Sequence, residues 1–413
     1  MNISGSPDVA VIGAGVIGAA SAYELAGAGA RVTVLERGRG WGEGCSWGNA
    51  GLIVPSHSRP IAAPEALRAG LGWMLRPDSP FGLRLRPSLA PWLLRFVRAS
   101  TASRAAAGER LQRELAVESL ALLAELAGDG IDAGFARRGC LTVHTTEDGA
   151  EHAAAEAASE TGRALGARVL SAAEARELEP ALSGAVRGGV LFPDEAQCDP
   201  VRLVRSLGAA AIGRGAQLRD GTEVVGLRAD SGGVRIDTTR GPLTAGHVVL
   251  AAGAWSGRLA AAAGLELPLQ GGKGYAVEWD PAAAPLRIPL YMHDQRCVAN
   301  PMGDRLRMTG GLLLDGLDER FDPRRVAAIR VAAAAVLGIH AEPRLTWRGL
   351  RPCTPDGLPV IGIHARAPRV VIATGHGMLG VTLAPLTGRL VADLVAGRPD
   401  QPALARLSPE RFR

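Results

Sequence analysis

Residues 8–37 constrain this chain more than any other stretch. Asp8-Val9-Ala10-Val11-Ile12 reads as a short, apolar strand. It runs straight into Gly13-Ala14-Gly15-Val16-Ile17-Gly18, and residues 16–28 read as a helix that Gly29 ends. Arg31-Val32-Thr33-Val34-Leu35 is a second, β-branched strand, closed by Glu36 and Arg37. Strand, glycine turn, helix and strand make a parallel βαβ unit. In such a unit Gly13 permits the tight turn, Gly15 admits a pyrophosphate to the backbone, and Gly18 lets the helix lie close to the strand. The free N–H groups where the helix starts, at Val16 and Ile17, favour an anion. Glu36 is placed to accept hydrogen bonds from ribose hydroxyls. The unit predicts a dinucleotide cofactor and does not separate FAD from NAD.

The 413 residues exceed one ordinary compact core and point to two domains. Strand-to-glycine units recur at 247–253 and 369–396, with different material between them. This predicts an α/β fold. A Rossmann-type cofactor domain is assembled from 1–66, 146–265 and 346–413. An inserted α+β substrate domain, built from 67–145 and 266–345, contains a mostly antiparallel sheet.

Net charge is +5, almost all of it arginine, and Lys273 is the only lysine. No dense basic block with interleaved aromatics is present, so nucleic acid is not an expected partner. The excess suits an anionic ligand or an anionic membrane surface. The five cysteines are scattered and form no Cys-x-x-Cys pair, which argues against a disulfide framework or a structural zinc and for a reducing cytoplasm. No export signal or membrane-length apolar run is expected. Residues 67–98 interleave Trp73, Leu75, Phe81, Leu85, Trp92 and Phe96 with Arg68, Arg76, Arg84, Arg86, Arg95 and Arg98. That pattern has two readings. One is an interfacial segment on the inner face of a membrane, passing electrons to a quinone. The other, favoured, is a helical lid packed on the substrate domain.

Four further stretches carry chemistry. Cys45-Ser46-Trp47-Gly48-Asn49-Ala50-Gly51-Leu52 has small residues for close backbone approach, and Ser46 and Asn49 can donate to a phosphate or a ring oxygen. Thr222-Glu223-Val224-Val225 reads as a strand whose backbone pairs with an adenine edge, Val224 foremost. Ala251-Ala252-Gly253-Ala254-Trp255 ends a strand with small residues beside a ring system. Gly375-His376-Gly377-Met378-Leu379-Gly380 opens the last helix, whose N-terminus would stabilise negative charge on a reduced flavin. Between them stands Arg351-Pro352, an arginine beside a rigid proline, suited to clamp a carboxylate through two parallel hydrogen bonds. The alternative for Arg351 is a salt bridge to Asp356.

Together these segments resemble the flavin-dependent D-amino acid dehydrogenase and glycine oxidase family. The resemblance spans nearly the whole chain. It rests on the Gly13/Gly15/Gly18 turn with Glu36, on Asn49-Ala50-Gly51 and on Pro55-Ser56-His57-Ser58. It rests also on Gly272-Lys273-Gly274-Tyr275, on Gly349-Leu350-Arg351-Pro352 with Thr354-Pro355-Asp356-Gly357, and on the final glycine turn. It implies non-covalent FAD and an amino-acid or imino-acid substrate. Hydride passes from Cα to flavin N5, and the imine hydrolyses to a keto acid. Arg351 then binds the substrate carboxylate, and Tyr275 and Tyr291 are candidates to close the pocket. An electron acceptor (a quinone, a dye or oxygen) is implied as well.

The chain also departs from its look-alikes. Met378 stands where glycine oxidases carry an arginine, and alignment sets Cys297 at their substrate tyrosine. Both changes disfavour glycine as substrate. Cys353 lies a few positions from the flavin-linking cysteine of sarcosine oxidases, and Arg307 replaces their oxygen-activating lysine, which leans towards a dehydrogenase. D-proline-type imino acids, a non-catalytic flavin-binding subunit and an NAD-dependent dehydrogenase are the competing readings.

Overall fold

A computed structural model of the chain describes residues 7–67, 81–84, 86–230, 232–399 and 401–413. The strand Val9–Ile12 pairs in parallel with Val32–Leu35 on one side and His247–Leu250 on the other. Gln217–Arg219 extends this sheet at one edge; Ala367–Thr374 and the antiparallel Val360–His364 extend it at the other, giving six strands among the described residues. All eight residues of the first two strands are buried, as strands covered on both faces must be. Alternation divides them. Val9 and Val11 join a core with the helices Val16–Gly27, Pro200–Gly213 and Gly380–Val395. Ala10 and Ile12 join the opposite core, built on the small sheet of Val224–Asp230, Gly233–Thr238 and Leu243–Ala245.

Among the described residues the second sheet has nine strands and is mostly antiparallel. Its order is Leu345–Cys353, Gln270–Trp279, Leu306–Leu314, Cys297–Pro301, Leu290–Met292, Cys140–His144, Gly188–Phe192 and Arg168–Ser171, with Phe81–Leu83 paired alongside Leu306–Leu314. One face packs on the helix Pro323–Leu337 through Tyr275, Val277 and Trp279. The other face meets the cofactor domain, because successive strand residues point to opposite sides. There Arg307 donates to the carbonyls of Trp47 (2.7 Å) and Asn49 (3.0 Å), and Asn300 Nδ2 donates to the Ala50 carbonyl (2.7 Å).

The expected domain boundaries shift. Arg168–Ser171, Gly188–Phe192 and Leu345–Cys353 hydrogen-bond into the nine-stranded sheet, although 146–265 and 346–413 were assigned to the cofactor domain. Conversely, Ala102–Gly128, expected in the substrate domain, buries Leu111, Leu115, Leu122 and Leu126 in the cofactor-domain core. Strand partners and helix docking depend on residues distant in the chain, which local patterns do not report.

In the arginine-rich stretch, Arg68, Trp73, Leu75, Arg76 and Leu85 lie outside the described residues. The described part is divided: Leu94 and Val97 are exposed, while others pack inward. Trp92 is buried, stacks on Phe96 with centroids 5.3 Å apart, and donates Nε1–H to the Cys353 carbonyl at 3.2 Å. Arg86 pairs with Asp315 at 2.7 Å, and Arg84 with Asp315 at 3.2 Å. Among the described residues no helix is long and apolar enough to cross a membrane.

Candidate functional site: a dinucleotide cleft beneath an arginine-bearing sheet

The glycine turn behaves as its spacing predicts. Gly13 sits at φ +101°, and a Cβ there would come within 2.6 Å of the Ala251 carbonyl oxygen. A Cβ on Gly18 would collide with the Gly13 carbonyl oxygen, so the helix can approach only as glycine. Gly15 caps the helix without a side chain, and no acidic residue occupies the first turn. Ser46 Oγ accepts the Val16 N–H at 3.0 Å, which leaves its own hydrogen for a ligand. Glu36 is anchored on both oxygens, by Ala14 N–H and by Gly38 N–H, each at 2.7 Å. A carboxylate has about four lone-pair sites, so two remain for ribose hydroxyls.

These residues line a single cleft. Gly13, Gly15, Val16, Ile17, Glu36, Arg37, Ser46 and Asn49 form its first wall, and Val224, Ala252, Gly253 and Trp255 a second. His376, Gly377 and Gly380 close it at the last helix. Arg37 stacks over Trp255, with Cζ 3.7 Å from the ring centroid. The sequence reading missed Arg258 and Ala262, which line the cleft from the helix Ser256–Ala262. The only local signal was a short helix pattern directly after Trp255. Cys45 also lines it, its thiol pushed up by burial.

Gly18, Ala50, Gly51, Leu52, Gly375, Met378 and Leu379 do not line the cleft themselves. Gly18 and Gly375 hold its walls close. Asn49 Oδ1 accepts the Gly51 N–H at 2.8 Å, and Asn49 Nδ2 faces the Met378 carbonyl at 3.4 Å, joining the loop to the final turn. Leu52 pairs with Gln197 in a two-stranded ribbon. Met378 is 52% exposed. The His376 ring turns into the last helix, its Nε2 at 3.0 Å from Thr387 Oγ1, and burial lowers its pKa to about 3. His376 is therefore neutral and lends no positive charge. Charge stabilisation falls to the N-terminus of Gly380–Val395, whose first turn carries no acid.

The cleft fits FAD on these observations: a turn only glycine can make, an anchored ribose acceptor, and two helix starts without acids. The glycine turn, Ser46 and Glu36 would hold the pyrophosphate and ribose. The final turn and Leu350-Pro352 would face the ring.

Arg351 lies on the sheet face that meets the cofactor domain. Its partner across the strands is Gly272, and a Cβ at Gly274 would run into its guanidinium. Nη1 donates to the Gly311 carbonyl at 2.6 Å. Among the described residues no carboxylate comes within 4.0 Å of it. The alternative of a bridge to Asp356 fails, because Asp356 pairs with Arg411. Tyr291 shares that face: it stands opposite Val298, and its hydroxyl accepts from Arg296 Nη1 at 3.3 Å. Its ring packs edge-on against His57, centroids 4.4 Å apart.

Tyr275 is a correction. It occupies the other face, 1% exposed, and its hydroxyl accepts the N–H of Asp322, the cap of the helix Pro323–Leu337. An odd residue number on a strand whose even positions face the cofactor explains this placement. Cys297 points the same way, because a Cβ on Gly310 would meet its Sγ at 2.8 Å and Ile329 beyond. It therefore does not mark a lost substrate contact. Arg307 is fully buried, pairs with Glu278 at 2.6 Å and holds the cofactor loop. The sequence reading also missed Glu195, whose Oε1 accepts the Ser56 N–H at 2.7 Å and whose pKa burial raises to about 8.

Comparison with known proteins agrees with this geometry. The model of the DAO family, FAD dependent oxidoreductase, matches residues 8–394. D-amino acid dehydrogenase of Paramagnetospirillum magneticum is 38% identical, covering 98% of both chains. D-amino acid dehydrogenase 2 of Pseudomonas aeruginosa is 35% identical, covering 95% of both. The structure of glycine oxidase from Geobacillus kaustophilus superposes with a TM-score of 0.79 at 31% identity, over 97% of this chain and 98% of that one. L-proline dehydrogenase from P. horikoshii shares the fold, with a TM-score of 0.77 at 19% identity over 98% of both chains. The chain thus belongs to the DAO family of FAD-dependent oxidoreductases.

Proposed function

We propose that this protein is a D-amino acid dehydrogenase, oxidising the Cα–N bond of a D-amino acid to an imine that water hydrolyses to a keto acid. The observation that carries this is Arg351: a guanidinium without a carboxylate partner among the described residues, on the sheet face that meets the cofactor domain. Bound FAD supplies the hydride acceptor. Arg351 would grip the substrate carboxylate in a two-point hydrogen bond and set Cα towards the ring end of the cleft. Orientation by a rigid clamp removes much of the entropic barrier, so no side-chain base is required.

Arg307 supports an acceptor other than oxygen. Its charge is spent on Glu278 and two carbonyls, so it is not a mobile cation beside the ring. The exposed Leu94 and Val97, flanking Arg95 on the helix Ala90–Ala99, support peripheral contact with an anionic membrane at the cytoplasmic side, which liposome flotation tests. The deciding experiment for activity is anaerobic. Purified protein is mixed with D-, L- and imino acids, and flavin absorbance is followed. Bleaching by D-amino acids is expected. A yellow protein that no amino acid bleaches would overturn the reading.

A further inference from the structure

Arg296 is the one non-glycine residue with positive φ among the described residues, at 52°. A side chain with a Cβ avoids that region unless its surroundings hold it there. The residue closes the turn between Leu290–Met292 and Cys297–Pro301, where its N–H donates to the His293 carbonyl at 3.3 Å. Its side chain folds back over Tyr291 and donates Nη1–H to the phenol oxygen at 3.3 Å. No carboxylate stands within 4.0 Å of it among the described residues. Burial raises the pKa of the nearby Glu156 to about 7, so this carboxyl is only partly ionised at neutral pH. Beside Tyr291, His57 Nε2 is buried without a hydrogen-bond partner among the described residues.

Tyr291 and Arg351 project from the same face of the sheet, and the Arg351 side chain reaches back towards this cluster. Cys297, next to Arg296, pairs with Gly310, and Arg351 Nη1 ends on the carbonyl of Gly311. The strand of Gly311 and that of Tyr291 are two steps apart in the sheet, about 10 Å. Two guanidinium groups on one sheet face suit a ligand with a carboxylate at each end, each held by charge-assisted hydrogen bonds. A short amino acid with a second carboxylate on its side chain is such a ligand.

We propose that Arg296, Tyr291 and His57 form a second anion-recognising subsite of this active site, and that the substrate is a dicarboxylic amino acid of aspartate or glutamate size. The inference rests on the amino-acid reading above and names the substrate class. Arg351 takes the α-carboxylate. Arg296 takes the side-chain carboxylate, with the Tyr291 hydroxyl and His57 Nε2 as further partners. The strained turn is what aims Arg296 at that position.

The test uses the holoenzyme and Arg296→Gly. Glycine removes the guanidinium and suits φ 52°, so the variant should fold at least as stably as the parent. D-aspartate, D-glutamate, D-alanine and D-norvaline are compared in anaerobic flavin bleaching. Binding of the unreactive acids glutarate and butyrate is measured by calorimetry. The parent should prefer an acidic substrate, and Arg296→Gly should lower the acidic-to-neutral rate ratio about 10- to 100-fold, as the loss of one charged hydrogen-bond partner does. The glutarate-to-butyrate affinity ratio should fall in step, while thermal stability does not. A parent that prefers D-alanine, or a ratio unchanged in the variant, overturns the subsite and leaves the amino-acid reading standing. A yellow parent that no amino acid bleaches overturns both.

Discussion

Arg411 takes both carboxylate oxygens of Asp356, at 2.7 and 3.2 Å, five positions downstream of Arg351 in the chain. The C-terminal segment thereby removes the nearest carboxylate in sequence from competition, and the Arg351 guanidinium keeps donors for a ligand. Arg351→Ala should lower kcat/KM about 10²-fold or more, with KM rising most, because a bidentate charged contact is lost. Arg351→Lys should recover little of it, since an ammonium cannot make the planar two-point contact. Steady-state kinetics on the best D-amino acid decide this, and parent-like values in the alanine variant would remove Arg351 from the site.

Gly18→Ala should yield a colourless protein. The added Cβ would overlap the Gly13 carbonyl, forcing the first helix away from the turn that holds the pyrophosphate. The flavin-to-protein absorbance ratio after purification reads the effect. A fully yellow variant would show that the close helix approach is not needed for cofactor retention.

Arg307→Met should destabilise the fold by about 3 kcal/mol, the lower end of what breaking a buried ion pair costs. The lower end applies because Arg305 Nε also lies 3.3 Å from Glu278 and keeps that carboxylate compensated. The lost bonds to Trp47 and Asn49 should loosen the cofactor loop as well. Urea denaturation measures the first effect and flavin release on dilution the second.

Glu195 and the buried histidines set opposite pH limits on stability. Glu195 titrates near 4.5 when free and near 8 when folded, so its contribution is present below 4.5 and is lost as pH rises towards 8. Glu195→Gln resembles the protonated form at every pH. Its Tm should match the parent at about pH 5 and exceed it at about pH 9. Burial lowers the pKa of His57 and of His293 from 6.5 to about 4, so their contribution is present above 6.5 and is lost as pH falls to 4. Thermal melts across pH test both limbs, and a constant gap between parent and Glu195→Gln would refute the first.

The sequence alone determined the cofactor half of the site. Gly13, Gly15, Gly18 and Glu36 lie within 24 residues, and the chemistry they serve is set by backbone conformation and helix polarity, both local properties. The small-residue runs at Asn49, Gly253 and Gly377 were legible for the same reason, and each reaches the cleft. The substrate half was decided only by tertiary structure. Tyr275 and Tyr291 look alike in sequence, yet opposite strand faces send one into a helix-packed core and the other towards the cofactor domain. Whether Arg351 pairs with Asp356 depended on Arg411, sixty residues away, and the contact of His57 with Tyr291 on two segments more than two hundred residues apart. Facing and partnership across such separations follow from sheet register and packing, which no local spacing encodes.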